Sequence, residues 1–395
     1  MKKLKICNRI LGDCKSQSPK LRKDIEIEEE NMPSEAYKRV KRKQALRRKK
    51  ERIRNMLIIA GIIILLLIIL LIKGAVACVS SCNKQEKKTQ VTTTTEATTE
   101  EEQQEPTTET VVEEKPMFKE VTAPAVSTNF KKAGSELLSP HIVLIDVNTN
   151  EIIAGRNYNA KIYPASMTKV MTLIVAVENL KDMEDKYKFD NETIGVLYEQ
   201  EASMAGFAPG ESVTVEDMLY GLILPSGADA AAGLANKIAG SEEKFVKLMN
   251  DKCKEMGLKN THFTNPVGLH NEDNYSTPVE IAMIMEYAMS NETCAKILKT
   301  YQYTTRKTKE HPEGLTLTST MYSRMYGNEV DTVEIIGGKT GYTAEALQCL
   351  VSYAIRDKDA YVAVTAKATG KWHCIFDTFG LYGNYIKNPP GYVRQ

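Results

Sequence analysis

Seventeen consecutive apolar residues, Met56 to Ile72, divide this chain into parts that must fold by different rules. A helix built from them has no polar face, so it fits neither a surface helix nor the half-buried helix of a small globular core. At 1.5 Å per residue the run spans about 26 Å, and one more turn covers the hydrocarbon core of a bilayer. Lys73 then sits where a lysine can snorkel toward the headgroups. On the N-terminal side, Lys38 to Arg54 carries 11 basic residues. Positive flanks stay cytoplasmic, so the expectation is one transmembrane helix within residues 56–79, with the N-terminus inside and the rest of the chain outside. A cleaved signal peptide is the competing reading, because Ala75-Val76-Ala77 has the small-x-small look of a cleavage site. A charged leader of about 55 residues is far longer than an ordinary n-region and favours a retained anchor.

Composition sorts the remainder. The chain has 395 residues and a formal net charge of +1, which argues against a nucleic-acid partner. That balance hides segregation. Residues 1–55 hold 19 Lys/Arg against 8 Asp/Glu, and residues 89–110 hold 10 Thr and 6 Glu. Neither segment has enough apolar surface to offset its ordering entropy. Residues 1–55 are expected to be a largely disordered basic tail lying on anionic lipid, residues 80–121 a flexible tether, and residues 122–395 the folded domain. The eight cysteines and five histidines form neither CxxC nor HExxH, so no metal site is expected. Cys253, Cys294, Cys349 and Cys374 are expected to be mostly free thiols.

Within the folded part, His141–Asp146 and Ile152–Arg156 have the pattern of a hairpin. Ser166–Leu180 is apolar on nearly every side and predicts a buried central helix. Helices are expected over 215–224, 229–239, 242–256 and, behind the Thr277-Pro278-Val279-Glu280 capping box, to about Met289. Strands are expected over 333–336, 348–355 and 361–366, then a last helix over about 373–385. Strands at both ends and helices between predict one α+β domain with an antiparallel sheet.

Three short motifs carry chemistry. Ser166-Met167-Thr168-Lys169 puts a hydroxyl and an amine one turn apart, so a neutral lysine can take the serine proton. That requires a pKa well below the ordinary 10.4, which burial supplies. The same spacing at Ser241 and Lys244 is a helix N-cap followed by acids. Sixty residues past Ser166, Pro225-Ser226-Gly227-Ala228-Asp229 breaks two helices and offers a second hydroxyl. A further 113 residues on, Lys339-Thr340-Gly341 places an ammonium, a hydroxyl and bare backbone together on a strand, which suits a carboxylate-ended peptide lying along the strand edge.

This order of motifs resembles that of penicillin-binding proteins and serine β-lactamases. The stretches Tyr163–Thr172, Leu224–Ala231, Asn265–His270 with Tyr275–Thr277, and Gly338–Thr343 resemble more closely the low-molecular-mass D-alanyl-D-alanine carboxypeptidases, the S11 serine peptidases. The resemblance covers about residues 120–388. It implies the penicillin-binding, serine β-lactamase-like transpeptidase fold, with Ser166 as nucleophile, Lys169 as base and Ser226 as proton relay. It also implies substrate binding by Lys339, Thr340, Gly341 and Tyr342, with the backbone N–H groups of Ser166 and Tyr342 as oxyanion hole. The implied partners are peptidoglycan stem peptides ending in D-Ala-D-Ala, and β-lactams. His270 is expected to be structural. One position departs from the family: Ala228 stands where an asparagine is usual, and losing one amide hydrogen bond costs about 1–3 kcal/mol. The short stretch after the last helix leaves no room for the β-rich C-terminal domain and membrane helix of many relatives, so the N-terminal anchor is expected to serve instead. A β-lactamase, a non-catalytic β-lactam or wall sensor, and a transpeptidase or endopeptidase remain as alternatives.

Overall fold

The structure, a computed structural model, describes residues 118–325 and 330–386. The basic tail, the apolar run 56–72 and most of the expected tether lie outside the described residues. Among the described residues no helix is long and apolar enough to cross a membrane.

In chain order the elements begin with β1 (Ala125–Lys132), β2 (His141–Asp146) and β3 (Glu151–Arg156). A 3₁₀ turn, Ala165–Thr168, leads directly into α1 (Lys169–Asn179). Next come β4 (Lys186–Lys188), α2 (Asn191–Glu199), β5 (Ser212–Thr214), α3 (Val215–Ile223), α4 (Ala228–Ala239) and α5 (Glu242–Glu255). They are followed by α6 (Pro278–Met289), α7 (Glu292–Lys299), β6 (Gln302–Thr304), β7 (Thr316–Thr318) and α8 (Thr320–Met325). The last elements are β8 (Glu334–Thr343), β9 (Leu347–Arg356), β10 (Asp359–Ala368) and α9 (Lys371–Tyr385). Packing reaches back past residue 122, since Val121 is buried and Phe118 stacks on Tyr287 at 4.6 Å.

Six strands form the main sheet in the order β1-β3-β2-β10-β9-β8. The sheet is mixed, which corrects the antiparallel expectation: β1 pairs with β3 in parallel, while the other pairings are antiparallel. The chain after β1 is held beside β3 rather than folding back as a hairpin. Arg156 of β3 donates to the carbonyls of Gly134 and Leu137 at 3.0 and 2.7 Å. Asp377 of α9 accepts from the backbone of Leu138 and Ser139 at 2.9 and 2.6 Å.

Strand alternation gives the sheet two apolar faces. Val143 and Ile145 of β2 face one core with Val362 and Val364 of β10, and α1, α3, α4 and α6 cover it. Ile142 and Leu144 face the other with Tyr361, Ala363 and, from α9, Leu381 and Tyr382. Every residue of α1 from Lys169 to Val177 is buried, so this helix is central. The expected start at Ser166 is a 3₁₀ turn instead, which leaves Ser166 at the mouth of the α-helix rather than inside it. Cys253, Cys294, Cys349 and Cys374 are buried free thiols, and burial pushes Cys253, Cys349 and Cys374 each up to about 12. They act as small core side chains.

Candidate active site

Lys169, the first residue of α1, is 1% exposed. Its Nζ donates to Ser166 Oγ at 3.2 Å and to the Val267 carbonyl at 2.6 Å. Burial brings its pKa down to about 7, against the partly opposing attraction of Asp229. The amine is therefore half neutral near neutral pH and already points at the hydroxyl that it would deprotonate.

The Val267 carbonyl is placed by a loop whose role the sequence did not disclose. Asn265 folds that loop over its own side chain. Its Oδ1 accepts from Gly268 and Leu269 N–H at 2.7 and 3.0 Å, and its Nδ2 donates to the Leu269 carbonyl at 3.1 Å. Thr172, one turn along α1, donates to the Pro266 carbonyl at 2.7 Å. Gly268 has φ +85°, and a Cβ there would lie 2.0 Å from the Ala165 carbonyl oxygen. Glycine is required both for that backbone and for that approach. Ala165 is itself in the left-handed region at φ +47°, so the turn that carries Ser166 is held under strain by its neighbours.

Ser226 lies in the turn between α3 and α4, buried, with φ +68°. Its Oγ has no hydrogen-bond partner among the described residues. It is not the helix cap: α4 is capped by Gly227, with no side-chain cap bond. A buried, unpartnered hydroxyl on strained backbone carries a stability penalty that a role in chemistry would justify. Ala228 is fully buried, and its N–H donates to the Ser203 carbonyl at 2.7 Å. Asp229, also fully buried, accepts from Ala205, Gly206 and Phe207 N–H at 2.8, 2.9 and 3.1 Å. It anchors the loop that leads to β5, a task that motif spacing could not reveal.

β8 is the terminal strand of the sheet. Gly341 lets it lie against the Ser166 turn, where a Cβ would come within 2.9 Å of the Pro164 carbonyl oxygen and 3.2 Å of Ser166 N. Lys339 is 1% exposed and donates to the Thr340 carbonyl at 3.0 Å. Burial, then the charges of Lys169 and Arg324, holds its pKa well below the usual lysine value. An arriving carboxylate would favour its charged form. Thr340 Oγ1 is 2.7 Å from Thr320 Oγ1, and the Thr320 N–H donates to the Leu224 carbonyl at 2.9 Å. That relay joins β8 to the segment that precedes Ser226. Tyr342 is 58% exposed.

Residues 127–370 match the D-alanyl-D-alanine carboxypeptidase family, S11 of the serine peptidases. The chain belongs to that family. Among S11 relatives, D-alanyl-D-alanine carboxypeptidase DacF of Bacillus subtilis is 37% identical over 231 residues, which cover 58% of this chain and 57% of the relative. A D-alanyl-D-alanine carboxypeptidase of Streptomyces is 34% identical over 212 residues, 52% of this chain and 72% of the relative. The crystal structure of the Streptomyces K15 DD-transpeptidase matches with a TM-score of 0.59 at 28% identity, covering 65% of this chain and all of that one. The shared architecture is the penicillin-binding DD-peptidase fold.

Of the residues singled out in the sequence, Ser166 and Lys169 are in hydrogen-bond contact and Gly341 packs on their turn. Lys339 lies within electrostatic reach of Lys169, and Thr340 is tied back toward Ser226 through Thr320. Asn265, Val267, Gly268 and Asp229 are the supporting residues without an assigned role in the sequence reading. The resemblance of Asn265–His270 and Leu224–Ala231 to the family marked the stretches that hold them, without showing what each residue does.

Proposed function

We propose that this chain is a serine-type D-Ala-D-Ala carboxypeptidase acting on peptidoglycan stem peptides through an acyl-serine intermediate. The contact that carries the proposal is Lys169 Nζ to Ser166 Oγ, 3.2 Å, in a buried setting that brings the amine down to about 7. Lys169 takes the Ser166 proton as Oγ attacks the carbonyl of the penultimate D-Ala. The Ser166 and Tyr342 N–H groups hold the oxyanion. Ser226 passes a proton to the leaving nitrogen, the C–N bond breaks, and D-alanine departs. Water then attacks the ester, with Lys169 again taking a proton, and Ser166 is restored. Lys339 and Thr340 hold the terminal carboxylate, and Gly341 lets β8 lie close against the Ser166 turn. A β-lactam presents the same carbonyl to Ser166 and should acylate it.

The test uses the full chain in detergent with a D-Ala-D-Ala-ended pentapeptide and measures free D-alanine beside Ser166→Ala. Release that disappears in the variant is the expected result. Acylation by penicillin without release would instead support the sensor reading, for which Ala228 is the motivating residue. Rapid turnover of penicillin would support the β-lactamase. The Streptomyces structure is named a DD-transpeptidase, so an added amine acceptor that captures the acyl group in place of water is the reading to test second.

The anchor belongs to the same proposal. The 17-residue apolar run and the 11 basic residues before it support a single bilayer-spanning helix in a bacterial cell membrane, with the catalytic domain outside. Resistance to alkaline carbonate extraction, together with protease access to the domain from outside the cell, is the expected outcome.

A further inference from the structure

The outer face of α9 has the wrong composition for a helix in water, since a surface helix carries its charges opposite the core. At about 100° per residue, Cys374, Thr378 and Leu381 share the side toward the sheet and are buried. On the other side Trp372, Phe376, Phe379 and Gly383 fall within about 60° of one another. Trp372 and Phe376 are half-buried, stack at 6.1 Å and belong to none of the buried apolar clusters. Gly383 is exposed. The one acid of the helix, Asp377, is buried and accepts from Ser139 N–H and Oγ, each at 2.6 Å. Its one lysine, Lys371, stands over the Trp372 ring at 6.0 Å. Leu138, 59% exposed, sits beside α9 with its N–H bonded to Asp377. The result is an aromatic strip with a cation at one end and no exposed carboxylate on the helix.

Area, reach and charge choose what covers the strip. The 15 residues of α9 make a face about 22 Å long and about 10 Å wide. That is roughly 220 Å², against about 800 Å² per partner in a stable dimer. A second copy is therefore a poor match. A bilayer surface needs no such area when the domain is already confined beside it. Between the apolar run and Phe118 lie 45 residues, a contour of up to about 150 Å. A domain of this size is only about 50 Å across, so α9 is within reach of the lipid. Charge agrees, because anionic headgroups attract Lys371 and meet no carboxylate on the helix. Tryptophan is itself a residue of membrane interfaces.

We infer that α9 lays its Trp372–Phe376 strip on the lipid surface that anchors the chain. The Ser166 turn, at the start of α1 on the other face of the sheet, is then turned away from lipid. This rests on the anchored reading of the apolar run. Trp372 is the single tryptophan of the chain and reports the contact directly. The experiment reconstitutes the full chain in vesicles of phosphatidylcholine and phosphatidylglycerol, with plain or brominated acyl chains. Interfacial helices sit about 5–10 Å deep, so bromines near the headgroups should cut Trp372 emission about twofold and bromines at the bilayer centre much less. A Cβ at Gly383 meets open space. Gly383→Glu should therefore melt as wild type yet lose most of the quenching, whereas Gly383→Lys should keep it, a sign dependence that misfolding cannot produce. Equal emission in plain and brominated vesicles, or the same quenching in both variants, would overturn the docking. Protection of Trp372 from aqueous acrylamide that grows with protein density, without bromine quenching, would overturn it in favour of a second copy. A chain that shows quenching and is then released by alkaline carbonate would defeat the anchor and leave the docking standing. A chain retained but unquenched would do the reverse.

Discussion

The pH dependence of acylation follows directly from the burial of Lys169. Its pKa is brought from 10.5 to about 7. At pH 7 about half of the molecules then carry a neutral amine, against roughly 3 in 10,000 for an unperturbed lysine. The shift thus raises the competent population by about 10³-fold, equivalent to roughly 4 kcal/mol. The second-order rate of Ser166 labelling by a fluorescent penicillin, followed from pH 5 to 9, should rise tenfold per unit below pH 7 and level off above it. At pH 5 the rate should be about 1% of the plateau. A flat profile between pH 5 and 8, or a rate still climbing steeply at pH 9, would refute the assignment of Lys169 as the neutral base.

The same shift bears on stability. Between the folded value near 7 and the unfolded value near 10.5 the unfolded chain holds the extra proton, so this group makes stability rise with pH across that window. Below pH 7 its full penalty of about 5 kcal/mol applies. Lys169→Met should therefore stabilise the fold at pH 6, by about 2–3 kcal/mol after its two hydrogen bonds are lost, and the gain should vanish by pH 10, as read by urea denaturation. Lower stability than wild type at both pH values would contradict this. Ser226→Gly relieves the positive φ and removes an unpartnered hydroxyl, so it should stabilise by about 1 kcal/mol while D-alanine release falls about 10²-fold; thermal melts and the release assay check both. Gly268→Ala drives a Cβ into the Ala165 carbonyl and should cost about 3–4 kcal/mol, with penicillin labelling of Ser166 lost. A variant that melts normally and labels normally would show that the turn yields more readily than its geometry implies.

Legibility varied with how strongly each segment's own residues dictate its form. The boundaries of β2 emerged intact because His141–Asp146 is bounded by turn residues and apolar within. The Thr277 cap with Pro278 fixed the start of α6, and the Ser241 side chain accepts from Lys244 N–H as an N-cap should. β8 runs through Lys339-Thr340-Gly341 to Thr343, as the strand placement of that motif anticipates, although the apolar pattern by itself reaches only residue 336 because three glycines weaken the strand signal. Helices α2 and α7 were missed, although Asp190 and Asn291 cap them by accepting from Thr193 and Cys294 N–H. A search for capping residues ahead of short, polar segments would have found both.

The sequence alone determined the candidate groups: an SxxK pair, a second serine on a helix break and a Lys-Thr-Gly on a strand, in the order of motifs that the family shares. Local residue identity suffices there because a hydroxyl and an amine at i and i+3 meet on any helical turn. Only the tertiary structure decided how those groups are made to work. Burial of Lys169, the Val267 carbonyl on its amine, the fit of Gly268 and Gly341 against the nucleophile turn, and the parallel pairing of β1 all depend on segments tens to hundreds of residues apart. Desolvation and close packing are properties of the assembled neighbourhood, and no stretch of chain carries them by itself.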